Sequence, residues 1–267
     1  YSTPLYTTLH NRPPMLFDSI VYGPIRSRRL GVSLGMNLMP TTAKLCTFDC
    51  VYCECGWNQP VSHPVLPTRE QVREALASHL VALSPNNLDV ITFSGNGEPT
   101  LHPEFSGIIQ DTCALRDQYC PQAKISVLSN STQLGRPDVV EALRMCDNRI
   151  LKLDSAIDTT MRLIDKPVNP NLTVEQIAEW LSFFDGNFTL QTCFLRGEYM
   201  GQIIDNTTSE ELDAWYAMVE RLHPQQVMIY VIDRATPLQT LSKVPKAEME
   251  AIAAPLRAKG IDVIVSA

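Results

Sequence analysis

Asp89-Val90-Ile91-Thr92-Phe93-Ser94-Gly95-Asn96-Gly97-Glu98-Pro99-Thr100 is the stretch from which the fold can be read. Asp89–Phe93 is apolar and β-branched but too short for a helix, so it reads as a buried strand. Two glycines then open the turn, and Pro103–Tyr119 reads as a helix. A buried strand, a Gly-rich turn and a helix make up the repeating unit of a parallel α/β sheet. The same unit recurs on both sides. Gly31–Met39, Lys124–Leu128, Arg149–Leu153, Phe188–Leu195, Gln226–Ile232 and Ile261–Val265 read as further strands. Thr68–Leu83, Pro137–Cys146, Val174–Phe184, Ser209–Leu222 and Lys246–Lys259 read as helices. Thr68 and Gln71 form a capping box, and Pro137 sits in its helix's first turn. Six or seven such units suit an α/β fold with parallel strands and right-handed crossovers, a partial barrel of (β/α)6 type; a full eightfold barrel needs more. The expected organisation is a lead-in segment over 1–29 followed by the barrel domain over 30–267. Chemistry in such folds sits at the C-terminal ends of the strands.

The 267 residues are 45% hydrophobic and 19% charged, enough to bury a sizeable core. A formal net charge of −7 argues against a broad nucleic-acid-binding surface. No run of 18 apolar residues suggests a membrane span and no signal peptide is visible, so a cytoplasmic location is expected. Of the eight cysteines, Cys46, Cys50, Cys53 and Cys55 crowd together while Cys113, Cys120, Cys146 and Cys193 are scattered. A secreted disulfide scaffold would be shorter and more evenly stapled, so a metal or cluster site fits better.

Lys44-Leu45-Cys46-Thr47-Phe48-Asp49-Cys50-Val51-Tyr52-Cys53 follows the first of these strands. Its Cys-x3-Cys-x2-Cys spacing lets three thiolates reach one inorganic centre from a single loop. Ordinary iron–sulfur cubanes take four cysteines. Three leave one iron open, and an open coordination position separates a reactive centre from a structural one. The alternative is structural zinc on Cys46, Cys50, Cys53 and Cys55. Zinc sites usually draw paired cysteines from two separated places, and four on one short loop would be cramped.

The motif, with Tyr52 as the aromatic before its last cysteine, resembles that of the radical S-adenosylmethionine (SAM) superfamily. The resemblance implies a [4Fe–4S] cluster on Cys46, Cys50 and Cys53, with SAM as second cofactor and Tyr52 near the SAM adenine. Gly95-Asn96-Gly97-Glu98-Pro99 resembles the superfamily's Gly-Gly-Glu-Pro segment, which implies that Gly95, Asn96, Gly97 and Glu98 hold the methionine amine. Asn96 departs from that pattern, and asparagine tolerates positive φ better than most residues. Tyr22-Gly23-Pro24-Ile25-Arg26-Ser27-Arg28-Arg29-Leu30-Gly31 and Gly97-Glu98-Pro99-Thr100-Leu101-His102-Pro103 resemble a narrower group, the wyosine-synthase-like radical SAM iron–sulfur proteins. This implies relatedness and leaves the tRNA reaction of wyosine synthases open.

The other strand ends supply further candidates. Ser129 and Asn130 are expected either at the SAM ribose or as a turn cap. Asp154 and Lys152 share one parity, either facing SAM or substrate or forming a buried pair. Gln191 and Cys193 share one strand face. Arg196 is placed to hold the SAM carboxylate, and Asp233-Arg234 ends the sixth strand. The three arginines at 26, 28 and 29 either bind an anionic part of the substrate or form a solvated charge run. His102 and Glu104 are expected to start a helix.

The reaction the resemblance implies begins with a low-potential electron from a flavodoxin or ferredoxin-type reductant; iron–sulfur potentials extend down to roughly −700 mV. SAM is reductively cleaved, and the 5′-deoxyadenosyl radical takes a hydrogen from the substrate. The protein binds, orients and excludes water. The substrate is expected to be RNA or a protein or peptide. A non-catalytic iron–sulfur or zinc-binding adaptor is the competing reading.

Overall fold

The computed structural model describes residues 15–27, 31–83 and 88–267. All seven expected strands form. They are β2 (Gly31–Met36), β3 (Val90–Phe93), β4 (Lys124–Ser129), β5 (Asn148–Lys152), β6 (Thr189–Cys193), β9 (Gln226–Tyr230) and β11 (Asp262–Ser266). They lie side by side in the order β2-β3-β4-β5-β6-β9-β11, every pairing parallel. The helices α1 (Arg69–Ala82), α2 (Phe105–Tyr119), α3 (Pro137–Arg144), α5 (Val174–Ser182), α6 (Ser209–Leu222) and α7 (Lys246–Ala258) match the expected ones to within a few residues. Thr68 and Gln71 exchange the reciprocal bonds of the capping box at α1.

Side-chain alternation divides the sheet into two faces. Leu34, Met36, Ile91, Phe93, Ile125, Val127, Leu190, Val227 and Ile229 are fully buried and alternate with the other set. On α6, Trp215 donates to Thr192, which shares this parity on β6, so this is the helix-covered face. The opposite parity carries Ser33, Thr92, Leu128, Ile150, Gln191 and Met228, which line one cavity of about 280 Å³. Strands from near both ends of the order contribute to it, so the sheet is curled around that cavity as an open barrel.

Three features were not read from sequence. Val21–Ser27 forms β1, which pairs antiparallel with β2 despite its Gly23-Pro24, so part of the lead-in belongs to the main sheet. Asp158–Asp165 forms α4, a helix of 8 residues. Leu195–Tyr199 (β7), Gln202–Asp205 (β8) and Ser242–Lys243 (β10) make a small antiparallel sheet ordered β10-β7-β8. Pro24 removes a ladder donor and thereby obscures the strand pattern. No helix among the described residues is long and apolar enough to cross a membrane.

Candidate functional site

The cysteine loop leaves the C-terminal end of β2 and docks on the Gly-rich turn after β3. Leu45 and Gly97 form a parallel bridge. The Leu45 N–H donates to the Asn96 carbonyl (2.9 Å) and the Glu98 N–H to the Leu45 carbonyl (3.1 Å). Gly97 adopts φ +138°, and a Cβ there would lie 1.8 Å from the Leu45 carbonyl oxygen. Gly95 adopts φ +128°, with the Asn37 amide oxygen 2.6 Å from where its Cβ would be. The close approach these glycines allow is therefore made by the chain itself. Asn96 is not among the residues at positive φ, so left-handed tolerance does not explain it. Its fully buried amide instead bonds the Phe17 N–H, the Phe17 carbonyl and the Pro40 carbonyl, at 2.8, 2.8 and 2.9 Å. Asn96 thus clamps the N-terminal segment beside the cysteine loop.

Glu98 is buried at 2% exposure and accepts four hydrogen bonds. Oε1 takes the Thr100 N–H (3.1 Å), the Thr100 hydroxyl (2.5 Å) and the Ser129 hydroxyl (2.9 Å), and Oε2 takes the Asn130 N–H (2.6 Å). Burial pushes its carboxyl above the ordinary glutamate value, against these bonds. The Asn130 amide in turn donates to the Thr47 hydroxyl (2.8 Å) and the Cys46 sulfur (3.4 Å). Glu98, Ser129 and Asn130, three separate candidates in the sequence, form one network tying the ends of β3 and β4 to Cys46.

The thiols sit in contrasting environments. Burial, then Glu98, raises Cys46 to about 11, and burial also holds Cys50 well above the ordinary thiol value. A hydrogen bond from Cys55 lowers Cys53 to about 6, and the Cys55 thiol is raised by the same bond. Cys55 also donates to the Gly95 carbonyl at 3.3 Å. Lys44, only 4% exposed, bonds Asp49 and the Gly56 carbonyl. Burial works to lower its pKa, but Cys53, Cys50 and Cys46 outweigh it and hold the ammonium above the ordinary lysine range. Among the described residues no three His, Cys, Asp or Glu groups surround a single point as one ion requires. Three thiolates on different corners of a cubane have no such need. With a buried cation beside them, the residues present fit a [4Fe–4S] cluster.

A second polar group lies beneath the loop. The Lys152 ammonium contacts the Cys50 sulfur (3.3 Å), the Tyr52 hydroxyl, Asp154 (3.5 Å) and Asp165 (3.8 Å). The Tyr52 hydroxyl donates to Asp154 and lies 3.4 Å from that of Tyr230. Asp154 also accepts the Cys193 N–H at 2.7 Å. Burial, then Asp154, pushes Asp165 well above the ordinary aspartate value. The Lys152–Asp154 pair is therefore buried and built into the seat of the cysteine loop. Sequence reasoning missed Asp165, Lys44 and Tyr230. Strand parity with Met228 was a usable signal for Tyr230, whereas nothing local marks Asp165 at the end of an unread helix.

Arg196 falls in β7, beyond the end of β6. Its guanidinium is engaged by Asp205 (3.3 Å), Thr207 (2.9 Å to Nε) and Glu248. The structure does not bring it among the strand-end residues above. Arg234 pairs with Glu54 (2.8 Å) and Asp233 with Lys243 (3.2 Å), so these neighbours form separate ion pairs. Arg26 is exposed and pairs with Val32, whose parity is that of Leu34 and Met36 on the helix-covered face. Arg28 and Arg29, like residues 1–14 of the lead-in, lie outside the described residues. His102 bonds the Pro67 carbonyl (2.8 Å) and accepts the Glu104 N–H (3.1 Å) just before α2, as helix-start residues do.

A family model described as "Radical SAM superfamily" matches residues 41–203, more than half of the chain. A protein named "GTPase Obg" from Brachyspira hyodysenteriae is 28% identical over 251 residues; the match covers 92% of this chain and 35% of that one, so the chain spans about a third of that relative. A UPF0026 protein of Synechocystis sp. is 31% identical over 226 residues, 82% of this chain and 77% of that one. Among solved structures, Streptococcus suis SuiB bound to S-adenosylmethionine superposes with a TM-score of 0.62 at 11% identity, covering 84% of this chain and 49% of SuiB. TYW1 with a lysine-pyruvate adduct bound superposes with a TM-score of 0.61 at 16% identity, covering 85% and 73%.

Proposed function

Because the chain belongs to the radical SAM superfamily, whose members are enzymes with a [4Fe–4S] cluster and SAM as cofactors, we propose that Cys46, Cys50 and Cys53 carry that cluster for hydrogen abstraction from a substrate in the inner cavity. When bound, the cluster and SAM supply reductive sulfonium cleavage and a 5′-deoxyadenosyl radical. One observation carries the reading: the three-thiol loop is fastened by the Leu45–Gly97 bridge onto the strand ends, and Glu54, the residue after Cys53, lines the cavity.

The chain's own residues divide the remaining work. Asn130 and Lys152 donate to the Cys46 and Cys50 sulfurs and set their positions. Gly95, Asn96, Gly97 and Glu98 shape the turn at which the SAM methionine end is held, with Ser129 and Asn130 beside it. Tyr52 and Asp154 close the far side of the loop and exclude water. An external flavodoxin or ferredoxin-type protein supplies the electron. Between RNA and a protein or peptide, the net charge of −7 favours the latter. SuiB has also been solved bound to its precursor peptide SuiA.

Anaerobic reconstitution with iron and sulfide, followed by SAM and dithionite, tests the assignment. Formation of 5′-deoxyadenosine by the wild type, and its loss together with the iron in Cys50→Ala, is expected. A reconstituted cluster that binds SAM without cleaving it would instead establish the adaptor reading.

A further inference from the structure

Among the described residues, Cys50 is the cluster cysteine with an ammonium on its sulfur. The Cys46 sulfur takes the neutral Asn130 amide at 3.4 Å. The Cys50 sulfur takes the Lys152 ammonium at 3.3 Å, and its thiol donates to the Asp165 carboxyl, also at 3.3 Å. Lys44, the other buried cation of the loop, is bonded to Asp49 and the Gly56 carbonyl.

The Lys152–Cys50 contact is fixed from both sides. Lys152 is the last residue of β5, where it pairs with Gln191 of β6, and its carbonyl accepts the Ser131 hydroxyl at 3.0 Å. Cys50 is held through its neighbours. The Asp49 N–H donates to the Asp165 carbonyl (2.8 Å) and the Val51 N–H to the Ile164 carbonyl (2.9 Å), both at the end of α4. The ammonium is also enclosed. It lies 4.7 Å from the centre of the Tyr52 ring and 6.0 Å from that of Phe48, and the Lys152 side chain is 13% exposed. Asp154 and Asp165 hold it at 3.5 and 3.8 Å. Water and salt screen a charge in such a place poorly.

When Cys50 ligates iron, its sulfur gives up the hydrogen, and with it the bond to Asp165. The thiolate then keeps the Lys152 ammonium as its donor. Iron–sulfur potentials respond to hydrogen bonds at the sulfurs, to net charge and to solvent exposure. Reduction adds one electron to the cluster with no bond made or broken. A cation fixed at a ligating sulfur therefore stabilises the reduced form.

We propose that Lys152, acting through Cys50, sets the reduction potential of the cluster and raises it toward that of the external one-electron donor. This rests on the radical SAM reading above and adds how that site is tuned. Lys152 is on this account a positioning residue, and its effect is read without SAM or substrate.

The test is an anaerobic mediated redox titration of the reconstituted protein, followed by bleaching of the cluster's visible absorption. Lys152→Gln keeps a hydrogen-bond donor and removes the charge. At the wild-type midpoint its ratio of reduced to oxidised cluster should fall about tenfold or more, which for one electron is a downward shift of about 59 mV or more. Tyr52→Phe deletes a neutral neighbour of the same ammonium and should stay within about twofold of the wild type. Lys152→Gln is also compared with its parent in an Asp165→Asn background, which removes the carboxyl beside the vacated position, so that a single variant without iron does not end the test. The same tenfold fall is expected there. A fall of less than about threefold, or an equal fall in Tyr52→Phe, overturns the inference. Failure of both Lys152→Gln proteins to hold iron overturns it too, because Lys152 then serves assembly of the site. Iron content of the wild type separates the two readings: a wild type that takes up no cluster refutes the radical SAM assignment, and a loaded variant with an unmoved potential refutes only the role of Lys152.

Discussion

Replacing Glu98 by alanine tests whether this carboxylate is a structural hub as well as a cofactor contact. The structure gives it four donors, two of them the backbone N–H groups of Thr100 and Asn130. The Ser129 and Thr100 hydroxyls can turn to other acceptors, but the two buried N–H groups cannot. Each buried donor left without a partner costs about 1–3 kcal/mol, or about 2–6 kcal/mol for the pair. Removing a carboxyl whose ionised form is disfavoured by burial offsets part of that. A net loss of about 3 kcal/mol is expected, which for a chain of this size lowers the melting temperature by roughly 6–12 °C. Glu98→Gln keeps one acceptor oxygen and turns an NH2 toward the Asn130 N–H, so its loss should be about half as large. Differential scanning calorimetry of the cluster-free protein measures both, and SAM titration of the reconstituted protein follows. If Glu98→Ala melts within 2 °C of the wild type, the network argument is wrong. If Glu98→Gln melts almost normally while SAM affinity falls about tenfold, roughly 1.4 kcal/mol, the carboxylate acts chiefly on the cofactor.

Three further outcomes are expected. Cys46→Ala, Cys50→Ala and Cys53→Ala should each abolish the brown chromophore after reconstitution, whereas Cys55→Ala should retain roughly four irons per chain; loss of iron in Cys55→Ala alone would reassign the ligands. Gly97→Ala, whose Cβ cannot share space with the Leu45 carbonyl, should release the start of the cysteine loop and sharply lower iron incorporation, while a control Gly201→Ala, with nothing within 4 Å of the added Cβ, should load normally. Asn96→Gly restores the family's more common residue but deletes the bonds to Phe17 and Pro40. Limited proteolysis should then cut the Met15–Asp18 segment several times faster than in the wild type, and an unchanged rate would refute the clamp.

The parallel frame was legible because each of its strands is a short apolar run followed by a polar turn, and burial on both faces leaves no other reading for Val90–Phe93. The cluster loop was legible because cysteine spacing is local information. What escaped is non-local. Arg196 reads as a strand-end arginine only if Phe188–Leu195 is one strand; the chain instead ends β6 at Cys193 and turns into a hairpin. The Asn206 amide accepts the Leu195 N–H at 2.9 Å and donates to the Asp154 and Cys193 carbonyls, both at 2.8 Å, fixing that turn from thirteen residues downstream of Cys193. Glu98 shows the same limit in reverse. Its place in the motif was plain, but its four donors come from two strand ends, and only the folded arrangement shows them to be satisfied.

Asn96 connects these observations. Where the related motif has glycine, this chain carries a side chain whose amide reaches back to Phe17, and Phe17 stacks on Tyr22 of β1 with ring centroids 3.6 Å apart. Tyr22 in turn bonds Ser94 at the end of β3. The asparagine in the turn thus fastens the lead-in along the cavity wall, which Phe17 and Tyr22 both line. A glycine at 96 would leave the cluster loop its backbone bridge to Gly97, since that bridge uses no side chain. It would remove the tie that holds Phe17 in place beside Tyr22. The departure from the motif and the seating of the lead-in are accordingly one structural device, and the Asn96→Gly variant should expose the Met15–Asp18 segment to protease even where its cluster content equals that of the wild type.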